Sequence, residues 1–376
     1  MKIVILSDDF PPESFGGAGI STYDFALSLK KAGQDVSVIT TCRHDSEAGE
    51  RDCHGLKVFK IASDYRARWR AYLSIYNPRI LRKLEKLLKE LNPDVVHVNN
   101  VHFYLSYYSI KLSKRYAKKV VFTARDAMSF SFGKLETEKY LKNFDAHLTT
   151  LDLFRQAKRR WNPFRNILIR HYLGYADKIF AVSVALQHAL KQNGIGNVEV
   201  MHTGIDLSEY PLNHNDQDKK IIFFAGRLSD AKGAKVTEKA MQIVLKEMPE
   251  AQLLTAGTNG QWLGREEMKK AYSASSVVIV PSVCFDALPR IVLEGAASRI
   301  PVISTPYGGA KEVIEDGVTG YIVDPFDTEE MAKRILEFLR DKDKARRFGE
   351  AGYQRIKAKF NIDDKVAEFL GAVENL

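Results

Sequence analysis

Ile221-Ile222-Phe223-Phe224-Ala225-Gly226-Arg227-Leu228-Ser229-Asp230-Ala231-Lys232-Gly233 is the stretch on which the fold is read. An apolar run of strand type enters a glycine-flanked turn carrying two cations, and residues 235–246 then take helical spacing. From there strand-type runs (252–256, 277–280, 302–304, 321–323) alternate with helical ones (266–275, 291–298, 311–315, 329–339). This is the pattern of a parallel sheet with helices on both faces. The same alternation fills the first half. Residues 2–6 read as a strand, a polar loop holds Gly16-Gly17-Ala18-Gly19, 20–32 is helical with Gly33 as its C-cap, and 36–40 is a β-branched strand. Residues 79–91 set Leu81, Leu84, Leu88 and Leu91 on one face and Arg82, Lys83, Lys86 and Lys89 on the other, an amphipathic helix stopped by Asn92-Pro93. Strands are expected at 95–98, 120–123, 179–182 and 198–202. The polar stretch 204–218 is the expected linker. The fold class is therefore α/β, with two Rossmann-like doubly wound domains facing a central cleft.

Composition narrows the class. A chain of 376 residues exceeds one ordinary core. No apolar run approaches the roughly 18 residues of a membrane span, and 1–6 reads as a first strand, not a leader. Three cysteines, Cys42, Cys53 and Cys284, form no CxxC pair, which suits a reducing cytosol. No His/Cys/Asp cluster has metal-ligand spacing; Asp8-Asp9 is a lone acidic pair. The net charge of +9 is uneven: residues 1–206 hold 32 Lys+Arg against 21 Asp+Glu. Two segments concentrate it and interleave aromatics. Residues 66–76 carry Arg66, Arg68, Arg70, Trp69, Tyr72 and Tyr76; residues 151–172 carry six cations, one acid, Phe154, Trp161 and Phe164. Such surfaces are either solvated helices or meet something acidic, and without a recognised nucleic-acid module an anionic membrane is the expected partner.

The candidate site residues lie where strands end. Arg227 and Lys232 supply a fork donor and a point charge for a diphosphate. Asp286 and Glu294, eight positions apart, flank a helix expected to begin near Arg290 and Ile291, whose N-terminus favours an anion; the two acids suit sugar or ribose hydroxyls. His97, Asn99 and His102 follow one strand, and Arg125 and Asp126 follow the next. Gly16-Gly17 permits close backbone approach but lacks the spacing of a dinucleotide fingerprint.

In combination these segments resemble the retaining glycosyltransferases of family four, which have the GT-B fold. Residues 226–233 are similar to that family's Gly-Arg-Leu-x-x-x-Lys-Gly segment, and Asp286 to Glu294 to its Glu-x7-Glu signature. The resemblance implies that Arg227 and Lys232 hold the donor diphosphate with backbone N–H groups around Arg290 and Ile291. It implies that Glu294 bonds the nucleotide ribose, Asp286 faces the donor sugar, and Gly16-Gly17 closes over the donor. His97, Asn99, His102 and Asp126 would line the acceptor side, and Arg125 would offer positive charge. The chain departs from the pattern at Asp286 (usually Glu), Pro289 (usually Gly), Arg125 (often His) and Thr203 (usually Asn), and residues 256–266 are short.

The implied domains are 1–206 on the acceptor side, 207–355 for the nucleotide sugar, and a helix within 356–376 crossing back. The implied activity is metal-independent transfer of a sugar, with retention, from a nucleotide sugar to an acceptor hydroxyl. No cofactor beyond that co-substrate is expected. The expected partners are the donor, a glycan or lipid-linked acceptor and an anionic membrane, with no nucleic acid. The expected setting is polysaccharide, lipopolysaccharide or glycolipid assembly, cytoplasmic or peripheral on the inner face of the cell membrane. Two other readings are a non-catalytic sugar-nucleotide-binding partner subunit and an NAD(P)-dependent two-Rossmann oxidoreductase.

Overall fold

The computed structural model describes residues 1–12, 16–210, 220–224, 226, 229–258 and 261–376. The chain divides into two compact units. One comprises Met1–Tyr140, Asp145–Thr203 and Asp363–Leu376; the other comprises Leu141–Phe144 and Gly204–Ile362.

The first unit is built on an eight-stranded sheet: β1 (Lys2–Leu6), β2 (Asp35–Cys42), β3 (Gly49–Cys53), β4 (Leu56–Ala62), β5 (Val95–Val98), β6 (Lys119–Ala124), β7 (Lys178–Ala181) and β8 (Val198–Val200). Their order is β3-β4-β2-β1-β5-β6-β7-β8, with every pair parallel except β3 and β4. The chain builds outward from β1 on one side and returns to add β5 on the other. The β1–β5 boundary is therefore a switch point, where loops leaving the strand ends diverge and open a crevice. The β3–β4 hairpin turns at His54-Gly55, both at positive φ. The sequence reading passed over it. β3 is a polar edge strand, Gly-Glu-Arg-Asp-Cys, as edges commonly are.

The helix Gly17–Lys31 packs Phe25 and Leu29 onto this sheet, and the C-terminal helix Ile362–Glu374 packs Val366, Phe369 and Val373 beside them. Phe369 is fully buried, its ring 5.3 Å from Phe25 and 4.7 Å from the His97 imidazole. Lys119 Nζ donates to the Val373 carbonyl at 2.7 Å. The chain re-enters this unit at Asp363; the helix Lys342–Lys359, which holds the expected starting point at 356, belongs to the other.

The second unit carries β9 (Ile221–Phe224), β10 (Gln252–Thr255), β13 (Val277–Val280), β14 (Val302–Ser304) and β15 (Gly320–Ile322), in the order β10-β9-β13-β14-β15 and all parallel. A separate hairpin pairs β11 (Gly257–Thr258) with β12 (Gln261–Trp262). One apolar cluster, with Val236, Ala240 and Ile335, covers one face; another, with Tyr272, Val292 and Phe360, covers the other. Here the switch point lies between β9 and β13. Leu141–Phe144 joins this unit through Tyr307, whose hydroxyl donates to the Leu141 carbonyl at 3.3 Å, and through Lys311, whose Nζ sits 4.4 Å from the Phe144 ring centroid.

Replacing Phe369 with Ala leaves a cavity between Phe25 and His97 and is expected to cost about 3–5 kcal/mol. A urea titration followed by circular dichroism checks this; an unchanged first-unit transition rejects the packing role given to the last helix.

Candidate functional site

Of the residues expected on the donor side, Lys232, Asp286, Arg290, Ile291 and Glu294 lie in the second unit, around the β9–β13 switch point. After β9 the described chain resumes at Gly226 and at Ser229; Arg227 lies outside the described residues. The turn Asp230–Lys232 ends at Gly233, with φ +82°. A Cβ there would stand 2.0 Å from the Pro281 carbonyl oxygen, so only glycine lets this turn lie against the end of β13. Val283 N and Cys284 Sγ both donate to the Ala231 carbonyl, at 3.1 and 3.4 Å. The turn thereby delivers Lys232 to Asp286, and the two side chains form an ion pair.

Asp286 is held from its other side by the loop after β14. Its N–H donates to Tyr307, and its carbonyl accepts the Gly309 N–H at 3.0 Å. Gly308 lies between at φ +104°, where a Cβ would fall 1.9 Å from the Asp286 carbonyl oxygen.

The helix Arg290–Ala297 begins directly after, with Pro289 as N-cap and no side-chain cap. Proline at the cap removes an N–H that a helix start does not need and presets the backbone. Both carboxylate oxygens of Glu294 are engaged. Arg290 Nε donates to one at 2.7 Å, and the Tyr272 hydroxyl donates to the other at 2.8 Å. Burial, then the Glu294 charge, pushes the Tyr272 hydroxyl well above its ordinary range, so it stays a donor. Ile291 is half-buried, its side chain packed against the apolar cluster beneath. Tyr272 escaped the sequence reading; a tyrosine inside a helical pattern carries no mark of its partner.

In the first unit, β5 and β6 bring Asn99, His102, Arg125 and Asp126 together. Arg125 donates to Asn99 Oδ1 at 3.1 Å and to the Thr203 hydroxyl at 3.3 Å. Asn99 Nδ2 is buried and has no hydrogen-bond partner among the described residues. His102 Nε2 lies 3.6 Å from Asp126 Oδ2, and Asp126 Oδ1 also caps the following turn at Met128 N. Gly16 is the N-cap of the helix Gly17–Lys31, so Gly17 is helical, not part of a free loop.

His97 corrects the expectation that it lies on the acceptor side. It is an interior β5 residue with Nε2 2.8 Å from the Thr123 hydroxyl and its ring packed by Phe25 and Phe369. Asp8 is likewise no free acid. Its carboxylate accepts the N–H groups of Phe103, Tyr104 and Leu105 at 2.6 to 2.9 Å, tying the loop after β5 to the end of β1. Arg70, read in sequence as a surface cation, is half-buried with its guanidinium 3.6 Å from the Phe103 ring centroid. Among the described residues no three His, Cys, Asp or Glu side chains gather where a metal ion could be held.

Residues 15–209 match the profile of Glycosyltransferase Family 4, and residues 259–355 match that of Glycosyl transferases group 1. The chain belongs to glycosyltransferase family 4. Spore coat protein SA of Bacillus subtilis is 29% identical over 41% of this transferase, which spans about half (48%) of that relative. A glycogen synthase of Mycobacterium tuberculosis is 21% identical over 96% of the transferase and 91% of its own length. The sucrose-phosphate synthase of Thermosynechococcus elongatus superposes with a TM-score of 0.78 at 18% identity, over 100% of the transferase and 99% of that chain. The two parallel-sheet units are thus those of the GT-B fold.

The buried groups set a pH dependence. Burial lowers the pKa of His97 from 6.5 to about 3 and that of His102 from 6.5 to about 4. Below pH 6.5 the unfolded transferase takes up two protons that the folded one refuses, so stability falls as pH drops toward 4. Asp8 opposes this. Burial pushes its carboxyl from 3.8 to about 7 despite three backbone donors, so between those values the folded state holds a proton the unfolded chain has lost, and stability falls as pH rises. Asp8→Asn should steepen the rise of unfolding free energy between pH 4 and pH 6.5, and His102→Gln should flatten it. Denaturant titrations across that window measure the slopes; identical slopes in all three proteins reject the account.

Gly308→Ala is expected to destabilise by at least about 2 kcal/mol, because the methyl group and the left-handed backbone conflict at once. A variant as stable as the parent shows that the Asp286–Gly308 contact is not enforced.

Proposed function

We propose that the transferase moves a sugar from a nucleotide-sugar donor to an acceptor hydroxyl with retention at the anomeric carbon and without a metal ion. The observation that carries this reading is the meeting of Lys232 and Asp286 at the β9–β13 switch point, beside the uncapped start of the helix Arg290–Ala297. Lys232 Nζ, held at this point by its ion pair with Asp286, is a compact cation of the kind that binds a phosphate oxygen. The helix start adds N–H groups and the positive end of its dipole. Arg227, five positions before Lys232, is proposed as the second cation on the diphosphate. Glu294 is proposed to meet the ribose, since its oxygens retain lone pairs after accepting from Arg290 and Tyr272.

In the proposed reaction the bond from anomeric carbon to diphosphate oxygen breaks with its electron pair going to that oxygen. Lys232, Arg227 and the helix start stabilise the charge that forms. The acceptor oxygen bonds to the same face of the carbon and passes its proton to the departing diphosphate. Asp286 faces the donor sugar. Asn99, His102, Arg125 and Asp126 are proposed to receive the acceptor; the buried, unpartnered Asn99 Nδ2 is a donor available to its hydroxyls. The proposed setting is assembly of a surface polysaccharide or glycolipid at the inner face of the cell membrane.

Thermal shift with UDP-, GDP-, ADP- and dTDP-sugars, and NAD(P) as control, tests the donor. Stabilisation by one sugar-nucleotide family is expected. Lys232→Ala should weaken that affinity roughly ten- to hundredfold, the range for losing a charge-assisted hydrogen bond of about 1.5–3 kcal/mol. A shift with NAD(P) alone, or full donor affinity in Lys232→Ala, overturns the site.

A further inference from the structure

The two basic, aromatic segments of the first unit, residues 66–76 and 151–172, are distant in sequence and joined in the structure. The Tyr72 hydroxyl donates to the Trp161 carbonyl at 3.0 Å, and Asn162 Nδ2 donates to the Ala71 carbonyl at 3.0 Å. Trp69 and Tyr72 stand edge to face 6.2 Å apart, as do Phe154 and Trp161 at 5.6 Å. Ala157, Ala71 and Phe132 form a small apolar cluster beneath.

The helix Arg165–Leu173 continues this surface, burying an arginine while aliphatic side chains face solvent. It buries Arg165, Ile169 and Leu173. Arg165 is spent internally, donating to the Met128 carbonyl and to Asn166. Facing solvent instead are Ile167 at 56% exposure and Leu168 at 36%, preceded by Phe164 at 65%. Trp69, Tyr72 and Phe154 are also about half exposed. Large exposed apolar side chains set among cations in this way mark a contact site. Its flanking sequence is strongly cationic: residues 65–84 and 153–176 contain no Asp or Glu, Asp152 is paired with Lys139, and Arg66, Arg68, Arg155, Lys158 and Arg159 are exposed.

We propose that this surface docks the transferase onto an anionic lipid bilayer. Phe164, Ile167 and Leu168 enter the acyl boundary, Trp69 and Tyr72 lie at headgroup depth, and the surrounding cations meet lipid phosphates. A nucleic acid would use the cations and the flat rings but leave Ile167 and Leu168 in water, since aliphatic side chains gain nothing from phosphate. A bilayer uses both. The inference rests on the proposed membrane setting but not on turnover or on the donor site.

The test is co-sedimentation of the full chain with phosphatidylcholine vesicles, with and without phosphatidylglycerol, at low and high salt. Binding is expected only with phosphatidylglycerol and should fall as salt rises. Lys158→Ser with Arg159→Ser should lower partitioning about thirtyfold. Phe164→Ser with Ile167→Ser should lower it about tenfold or more even at low salt. All four positions are exposed or surface-facing, so melting curves should match the parent and exclude unfolding as the cause. A blue shift of tryptophan emission on binding, lost in Trp69→Phe, reports depth. Absence of binding to either vesicle overturns the proposal, as does loss with the charge variant alone, which marks a polyanion surface, or dimerisation that only the apolar variant abolishes. Donor-induced thermal shift, read separately, fails or survives independently of these results.

Discussion

The contact between Asp286 and Gly308 is the constraint on which the strand-end loops of the second unit depend. Two loops leaving neighbouring parallel strands approach so closely that no side chain fits between them. That approach fixes the Asp286 backbone through Tyr307 and Gly309, and the carboxylate is thereby offered to Lys232. A second glycine works the same way at the opposite rim, where Gly233 lets the Lys232 turn sit on Pro281. Both are backbone devices: a charged pair is placed by removing atoms, not by adding contacts. The side chains it leaves partly accessible can then exchange partners with a ligand at modest cost.

Two ion pairs at the strand ends of the second unit differ in kind. Lys232 and Asp286 are joined across the strand ends, with side chains 25% and 18% exposed. Arg290 and Glu294 are one helical turn apart on one element, 8% and 11% exposed, and backed by the Tyr272 hydroxyl. A buried charge is tolerated only when its lone pairs and protons are met, and removing one member of such a set strands the others. The inner set is therefore a rigid floor, and the outer pair is the more exposed and less constrained of the two. The same division holds in the first unit, where Asp8 is saturated by backbone donors while Asn99 keeps an unused one.

What was legible in sequence follows from how local each signal is. β5, β13 and β14 match the apolar runs residue for residue, because a buried parallel strand is a continuous apolar string. The amphipathic helix Pro78–Leu91 is read from its leucine spacing within one residue. The β3–β4 hairpin went unread because its outer strand is polar and its inner one breaks its apolar residues with Lys57 and Lys60. His97 shows the limit more sharply. Period-two alternation places it on one face of β5 but does not say that Phe369, 272 residues later, covers that face. Arg70 and Arg165 fail for the same reason: both sit in segments that look uniformly cationic, and only tertiary packing turns them inward.

That inward turn changes the meaning of the net charge. Arg165 is buried to 4% exposure and its pKa is lowered by burial to about 10. An arginine is placed there at a desolvation cost, offset in part by its bonds to Met128 and Asn166 and by stacking near Phe132. The same helix turn leaves Ile167 and Leu168 in water, a second cost of about 25 cal/mol for each Å² exposed. Exchanging the two sets of residues would relieve both penalties for a protein surrounded only by water. The arrangement is favourable where the outer face meets an apolar phase and the surrounding cations meet an anionic one, which is the electrostatic and hydrophobic profile of a lipid surface.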